Sequence, residues 1–211
     1  VYSSRGEFSL LNAVTAHWNM GRIIENWSAN FGLTRTTLTR NSTVMHLSEK
    51  AHETNDALNA WTLPSGTIVT SREGGPDLAF TSLDILAHEF THLVNFHSAG
   101  IRAGQRGPGG VLEHVCDAHA TILERRLESE RDLFSSDFRA RGRGVWLIGE
   151  EVRQTQDAVR NMNAPASIDH VLDPGRAASN HAAAGPLNKF LFLWVNGGRH
   201  PESRVQVTGL E

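Results

Sequence analysis

The sequence predicts an α+β protein with a mixed helix-and-sheet lobe at residues 1–80 and a mainly helical lobe at residues 81–211. Short runs rich in β-branched residues are concentrated before residue 71, whereas apolar residues recur at helical spacing from about Asp84 onward. With 211 residues and 39% hydrophobic side chains, the chain can bury a sizeable core. We expect the two lobes to meet near His88, with a cleft between them.

The N-terminal lobe is predicted to begin with a long amphipathic helix. Apolar side chains follow helical spacing over residues 7–31, and Gly32 is suited to ending that helix. Three short runs then predict strands, at residues 43–47, 58–63 and 66–70. A Pro-Ser-Gly turn lies between the last two.

The C-terminal lobe is predicted to contain four helices and a short strand. The first helix covers residues 82–96, and Thr81 or Ser82 can supply its N-cap. Helical patterns return at residues 111–127 and 146–162. The last helix starts at Pro186 and ends at the Asn-Gly-Gly sequence of residues 196–198. Residues 204–210 are typical of a short strand.

The helix over residues 82–96 carries the pattern that indicates chemistry. His88 and His92 are four residues apart, so they lie on one face of a helix, and Glu89 follows the first histidine. Two imidazoles in this arrangement can bind one metal ion, and a carboxylate one step around the helix reaches the open side of that ion. This H-E-x-x-H pattern is typical of zinc metalloproteases.

The next helix offers a third zinc ligand. Catalytic zinc usually takes three protein ligands and leaves one position for water. If the two helices pack antiparallel, Glu113 lies near His92 and completes a set with His88. Asp117, one turn after Glu113, would then accept a hydrogen bond from a ligand histidine.

The same two helices present a second pair of carboxylates. Antiparallel packing would bring Asp84 close to Glu124 at the other end of the helix pair. Clustered carboxylates are costly without a cation, and hard oxygen ligands favour calcium. The alternative is structural: Asp84 complements the helix dipole, and Glu124 faces Arg125 or Arg126 in solvent.

Composition excludes several partners. The net charge of -3 gives no reason to expect nucleic acid or an anionic membrane surface, and no apolar run reaches membrane-spanning length. Cys116 is the single cysteine and lies among apolar neighbours, so we expect a buried thiol and no internal disulfide. His114 and His119 are interpreted as surface or packing residues.

Seven ordered segments resemble the thermolysin-like zinc metallopeptidases. The sequence H-E-F-T-H is similar to that family's H-E-L-T-H, and G-G-V-L-E-H-V-C-D at residues 109–117 is similar to G-x-x-N-E-x-x-S-D. Weaker similarities occur at residues 14–30, 59–61, 146–151, 160–165 and 181–189. The resemblance covers most of the chain, and its motifs occur in the family's order.

The resemblance implies a role for each catalytic residue. It assigns zinc to His88, His92 and Glu113, and it makes Asp117 the carboxylate that hydrogen-bonds to a ligand histidine. Glu89 becomes the base that activates water. The matched segments also imply two hydrogen-bond donors to the developing oxyanion, namely Arg160 and His181.

Substrate and calcium sites follow from the same resemblance. An edge strand would pair with an extended substrate, and an apolar pocket would take the residue after the scissile bond. The residues implied are Asn59, Ala60 and Trp61 for the strand, Ile85 and Val159 for the pocket, and Asp84, Glu124 and Glu150 for calcium. The resemblance also implies a secreted protein.

The chain departs from the family at several positions. The tyrosine that donates to the oxyanion is replaced near Ala103, and Asp173 lies three residues too far from His181 to match the family's acid. Leu147 replaces an acid, so we expect at most one weakly held calcium ion. Because family members usually continue past the position of Glu211, we expect a trimmed form or another polypeptide segment that completes the C-terminal lobe.

These observations predict a zinc metalloendopeptidase that cleaves peptide or protein substrates before a hydrophobic residue. The alternative is a zinc-stabilised relative with weak or no activity that acts as a protein-binding module, although the presence of Glu89 favours an enzyme. Membrane-associated H-E-x-x-H peptidases are a third class. They place the third ligand much further downstream and usually carry membrane segments, and neither holds for this sequence.

Overall fold

A computed structural model describes residues 11–33, 44–47, 59–70, 80–100, 109–131, 146–149, 158–165 and 179–210. The chain divides into two compact units. The first comprises Val1–Ile101 and Gly149–Asp157, and the second comprises Arg102–Ile148 and Ala158–Glu211. Helices and small sheets occur together, which confirms the predicted α+β class. The two-lobe boundary at residue 80 stays a prediction.

Helix α1, Leu11–Phe31, opens the described part of the first unit. Ala16, Met20 and Ile23 recur at helical spacing and are buried, so they form the inward face of the helix. The amide of buried Asn19 donates to the carbonyl of Thr81, 2.9 Å away, which ties α1 to the start of the next helix. The helix ends where predicted, at Gly32, whose φ of 64° is left-handed.

Three strands make a small sheet in the first unit: β1 (Val44–Leu47), β2 (Ala60–Leu63) and β3 (Thr67–Thr70). Strand β3 lies in the middle, parallel to β1 and antiparallel to β2. The turn between β2 and β3 closes through a hydrogen bond from the amide of Gly66 to the carbonyl of Leu63. Among the described strands, β2 therefore lies at one edge.

Helix α2, Leu83–Ala99, packs against both α1 and β2. Ser82 occupies the predicted N-cap position, but its hydroxyl donates to the Asp84 carboxylate and accepts no capping hydrogen bond from a backbone amide of the first turn. The helix ends three residues later than predicted, at Gly100, which has a left-handed φ of 65°. Most of its side chains are buried because helix and strand cover it on two sides.

The second unit is built on helix α3, Gly109–Arg131, which starts at a pair of glycines. A short helix, α4 (Asn180–Ala183), approaches these glycines closely. A Cβ atom on Gly110 would lie 2.8 Å from the Cβ of Ala183, and one on Gly109 would overlap the Asn180 side chain. The two glycines therefore allow α4 to contact the first turn of α3.

Residues 146–162 correct the sequence-based prediction, because the described ends of this predicted helix are strands. Strand β4, Leu147–Ile148, pairs antiparallel with β5, Arg160–Asn161, and both belong to the second unit. The central residues, 150–157, lie outside the described part of the chain. Hydrogen bonds between the two segments outweigh the local helical propensity here. One of them is the 2.7 Å bond from the amide of Val159 to the carbonyl of Ile148.

Helix α5, Gly185–Asn196, is followed by a small hairpin. Pro186 occupies the first turn and Gly197 ends the helix, as predicted. Strands β6 (Gly198–Arg199) and β7 (Gln206–Val207) then pair antiparallel. The predicted strand at residues 204–210 is thus present in shortened form. None of the helices in the described part of the chain combines the length and apolar composition needed to cross a lipid bilayer.

Replacing Gly110 by alanine should lower the free energy of unfolding by about 1–3 kcal/mol, because the new methyl group meets Ala183. The matched control is Gly21→Ala on α1, where nothing lies within 4 Å of the new Cβ. That variant should gain about 0.5–1 kcal/mol from helix propensity. Urea unfolding measures both, and equal effects at the two positions would contradict the close approach of α4.

His119 on α3 should make stability depend on pH. Burial lowers the pKa of His119 from 6.5 to about 4. Between these values the unfolded chain binds more protons than the folded chain, so stability falls as pH is lowered from 6.5 to about 4. Over this pH range the free energy of unfolding falls by about 3 kcal/mol in total.

His119→Gln should remove this part of the pH dependence, whereas His17→Gln, at an exposed position on α1, should not. Urea unfolding at pH 4 to 7 measures the slope for the wild type and both variants. A wild-type slope retained in His119→Gln would refute the assignment to His119.

Candidate active site

The two histidines of the H-E-x-x-H pattern converge on one point in the first unit. His88 is 2% exposed, and its Nε2 atom lies 3.1 Å from Nε2 of His92. Two nitrogens at zinc–imidazole distance across a tetrahedral angle are separated by about 3.3 Å. The rings cross edge to face, with centroids 4.7 Å apart, as i and i+4 side chains on one helix can. The donor pair therefore fits one metal ion.

Glu89 is buried beside this pair, and a strand residue holds it. The hydroxyl of Thr62 on β2 lies 2.8 Å from the Glu89 carboxylate and 2.7 Å from the Glu89 backbone carbonyl. A threonine hydroxyl has one proton to donate, so it serves these two acceptors alternately. The contact fixes the carboxylate against the sheet. Sequence reasoning missed Thr62, although it directly follows the Asn-Ala-Trp segment.

In the second unit, Glu113 pairs with His181. Glu113 is buried on the first turns of α3, and its Oε2 atom lies 3.1 Å from Nε2 of His181 on α4. The His181 side chain is 50% exposed, so about half of it is open to solvent. The close approach of α4 to the glycine pair makes this contact possible. Two residues predicted for the same site are thus brought together.

Asp117, one helical turn after Glu113, makes a fork-shaped ion pair with Arg160. Asp117 has no exposed surface, and its Oδ1 atom accepts from Nη2 of Arg160 at 2.7 Å. Nε of Arg160 lies 3.0 and 3.1 Å from the two carboxylate oxygens. A planar guanidinium suits this geometry and neutralises the buried charge. Arg160 thereby extends from β5 to α3.

Asn188 on α5 completes this cluster. Its Nδ2 atom donates to Oδ2 of Asp117 at 2.8 Å, and its Oδ1 atom lies 2.8 Å from Nδ1 of His114. Sequence reasoning noted Asn188 within the 181–189 segment without giving it a role, and it interpreted His114 as a surface or packing residue. The only available signal was the Asn-Lys pair at the end of the 181–189 segment, which does not reveal the partner of either side chain.

Comparison with known proteins identifies relatives that match most of this chain. Bacillolysin of Bacillus cereus is 27% identical over 212 residues, which cover 94% of this chain and 33% of bacillolysin. The precursor of protealysin, a metalloproteinase from Serratia proteamaculans, has the same fold, with a TM-score of 0.60, 18% identity and coverage of 90% of this chain and 61% of that one.

This chain is similar in sequence to neutral proteases of the thermolysin-like type. The transglutaminase-activating metalloprotease of Streptomyces mobaraensis is a further relative, 28% identical over 154 residues, or 70% of this chain and 19% of that protein. No family model matches. The chain spans about a third or less of the length of these curated relatives.

Each of the residues predicted to bind substrate lies within one of the two units. Asn59 is exposed just before β2, Ala60 is buried on it and Trp61 is half-buried. Ile85 is buried in the first unit, whereas half-buried Val159 belongs to the second. A pocket shared by Ile85 and Val159, and the pairing of β2 with substrate, stay predictions.

The carboxylate of Asp84 has hydrogen-bond donors within the first unit. Its Oδ1 atom accepts from the hydroxyl of Ser82 at 2.5 Å and from the amide of Ile85 at 2.7 Å, and its Oδ2 atom accepts from the amide of Gly149. Glu124 is buried on α3 in the second unit. Glu150, Ala103 and Asp173 lie outside the described residues. The calcium site stays a prediction, and the Asp84 contacts give it no added support.

Zinc should stabilise the protein through His92. At a free zinc concentration 100 times the dissociation constant, the free energy of unfolding should rise by about 2.7 kcal/mol, and a chelator should reverse the gain. His92→Gln should lose most of it, because one of the two converging nitrogens is removed. His97→Gln, an exposed histidine near the end of the same helix, is the matched control. Equal zinc stabilisation in both variants would contradict the site.

Proposed function

We propose that this chain is a zinc-dependent metalloendopeptidase that hydrolyses peptide bonds. The observation that carries the proposal is the convergence of His88 and His92 at 3.1 Å beside a buried Glu89. The relationship to bacillolysin and to other named metalloproteases supports it. Because the chain spans only part of the length of those proteins, the activity is a proposal that rests on this chain's own residues together with the relationship.

The proposed zinc ligands are His88, His92 and Glu113. Two imidazoles and one carboxylate are a donor set that zinc accepts in hydrolytic enzymes. When bound, zinc supplies Lewis acidity that lowers the pKa of a water molecule and polarises the scissile carbonyl. Asp117 is proposed to support a ligand histidine, in addition to its ion pair with Arg160.

Glu89 is proposed as the general base. Its carboxylate takes a proton from the attacking water and later delivers that proton to the leaving amine. Burial and the hydroxyl of Thr62 restrict the orientation of this carboxylate, which is what proton transfer over hydrogen-bond distance requires. Thr62 therefore contributes to alignment without touching the substrate.

Arg160 and His181 are proposed to donate hydrogen bonds to the developing oxyanion. Arg160 is held by the buried carboxylate of Asp117, and the half-exposed His181 ring contacts Glu113 through Nε2. Donors fixed in advance stabilise transition-state charge without reorganisation. The tyrosine missing near Ala103 would have been a further donor, and its loss corresponds to about 2–4 kcal/mol of stabilisation.

Peptide or protein is the proposed substrate, aligned along the outer edge of β2. An extended peptide can add to a sheet edge through backbone hydrogen bonds, which suits a protease that accepts many sequences. Ile85 and Val159 are proposed to line the pocket for a hydrophobic residue after the scissile bond. Calcium at Asp84, Glu124 and Glu150, secretion and a second polypeptide segment in the C-terminal lobe are secondary proposals on which this function does not depend.

A zinc-stabilised binding module is the second candidate, and the missing tyrosine favours it. The buried and hydrogen-bonded Glu89 favours the enzyme, because a module that only binds zinc has no use for a base beside the metal pair. Full zinc occupancy without any chelator-sensitive cleavage of casein would decide for the binding module.

Glu89→Gln should retain zinc and lose nearly all peptide cleavage. The amide keeps the size of the side chain but cannot accept a proton from water, so we expect a fall in kcat of at least about 10²-fold. Zinc content is measured with the cleavage rate. Glu202→Gln, in the exposed turn after β6, is the control and should keep full activity. Retained cleavage in Glu89→Gln would refute the mechanism.

A further inference from the structure

The position of the Arg160 guanidinium depends on the residues that hold its partner carboxylate. Arg160 makes its ion pair with Asp117, and the side chain of Asp117 is itself completely buried. A carboxylate held by one partner can rotate about its own axis and carry the guanidinium with it. A second donor on the carboxylate restricts that rotation. Asn188 supplies this donor at 2.8 Å.

The amide of Asn188 is held at both ends. Its Nδ2 atom donates to Asp117, so its Oδ1 atom is the acceptor that faces Nδ1 of His114 at 2.8 Å. An amide oxygen only accepts, and His114 therefore carries a proton on Nδ1. Asn188 is 3% exposed, which keeps water from replacing either partner. The chain of contacts runs from His114 through Asn188 and Asp117 to Arg160.

The adjacent residue on α5 holds the backbone that carries Arg160. Nζ of Lys189 donates to the carbonyl of Asn163 at 2.5 Å and to its side-chain oxygen at 3.3 Å. Asn163 lies three residues after Arg160 in the same short segment. The amide of Met162 in that segment is bonded to the carbonyl of Trp146. One turn of α5 thus fixes both the side chain and the local backbone.

We propose that Asn188 and His114 are positioning residues for Arg160. They act through the Asp117 carboxylate and do not contact the substrate. This inference rests on the proposed function for its effect on the reaction, since Arg160 is the proposed oxyanion donor. Loss of the Asn188 donor should leave Arg160 paired but mobile, which lowers kcat and leaves KM nearly unchanged.

The first test measures the Arg160 side chain itself in the zinc-bound protein. Nitrogen-15 labelling of arginine shows the Nε–H signal of Arg160, which Arg160→Lys identifies. In Asn188→Ala the exchange of this proton with water should accelerate by about tenfold, since a restraint on its acceptor is lost. Asn196→Ala, the same substitution at an exposed position on the same helix, should leave the exchange unchanged.

The second test is a double-mutant cycle in kcat. Asn188→Ala should lower kcat by about tenfold in the wild-type background with KM within about twofold. In the Arg160→Ala background the same change should have less than about a twofold effect, because Asn188 acts through Arg160. His114→Ala, at a half-buried position, should lower kcat by a smaller factor, and this fall should also depend on Arg160. It replaces Asn188→Ala in the test if that variant does not fold.

The outcomes separate this inference from the proposed function. Unchanged exchange of the Arg160 proton in both Asn188→Ala and His114→Ala would overturn the inference, whatever the cleavage rate. Additive effects in the kcat cycle would overturn it too. A wild-type protein that binds zinc, cleaves no peptide and still shows the exchange effect would refute the proposed function and support the positioning of Arg160.

Discussion

A carboxylate with no exposed surface governs the arrangement of the second unit. The charge of Asp117 on α3 requires a cation and further donors, because an isolated buried charge is strongly destabilising. Arg160 from β5 and Asn188 from α5 meet this requirement. Three elements that are distant in sequence are therefore held at one point by a single acid. The same acid determines where the guanidinium can lie.

The first unit also has a buried carboxylate that is held by a neighbouring element. Glu89 is buried on α2, and Thr62 on β2 gives its carboxylate a hydroxyl donor. Because that hydroxyl also reaches the Glu89 backbone carbonyl, the strand is aligned with the turn of helix that carries His88. Both units thus orient a buried acidic group through a neighbouring element, and in both the acid belongs to the proposed chemistry.

Sequence reasoning was most successful where geometry is local. Helical periodicity alone predicts that His88 and His92 share a face, and their nitrogens do converge. It could not predict the contact of His181 with Glu113, because that contact depends on how closely a four-residue helix approaches Gly109 and Gly110. The paired two-residue strands at the ends of the predicted 146–162 helix were missed for a similar reason. Their pairing is a tertiary effect that outweighs propensity in so short a segment.

The edge position of β2 has a consequence for solubility. A strand at a sheet edge presents backbone N–H and C=O groups that can pair with any extended chain, including a strand from another copy of the same protein. Leu63 at the end of β2 is 41% exposed, and β2 contains no charged residue and no proline to discourage such pairing. If this edge of the described sheet is open, concentrated protein will self-associate through the edge proposed to align a peptide, and a short extended peptide bound there would act as a solubilising additive.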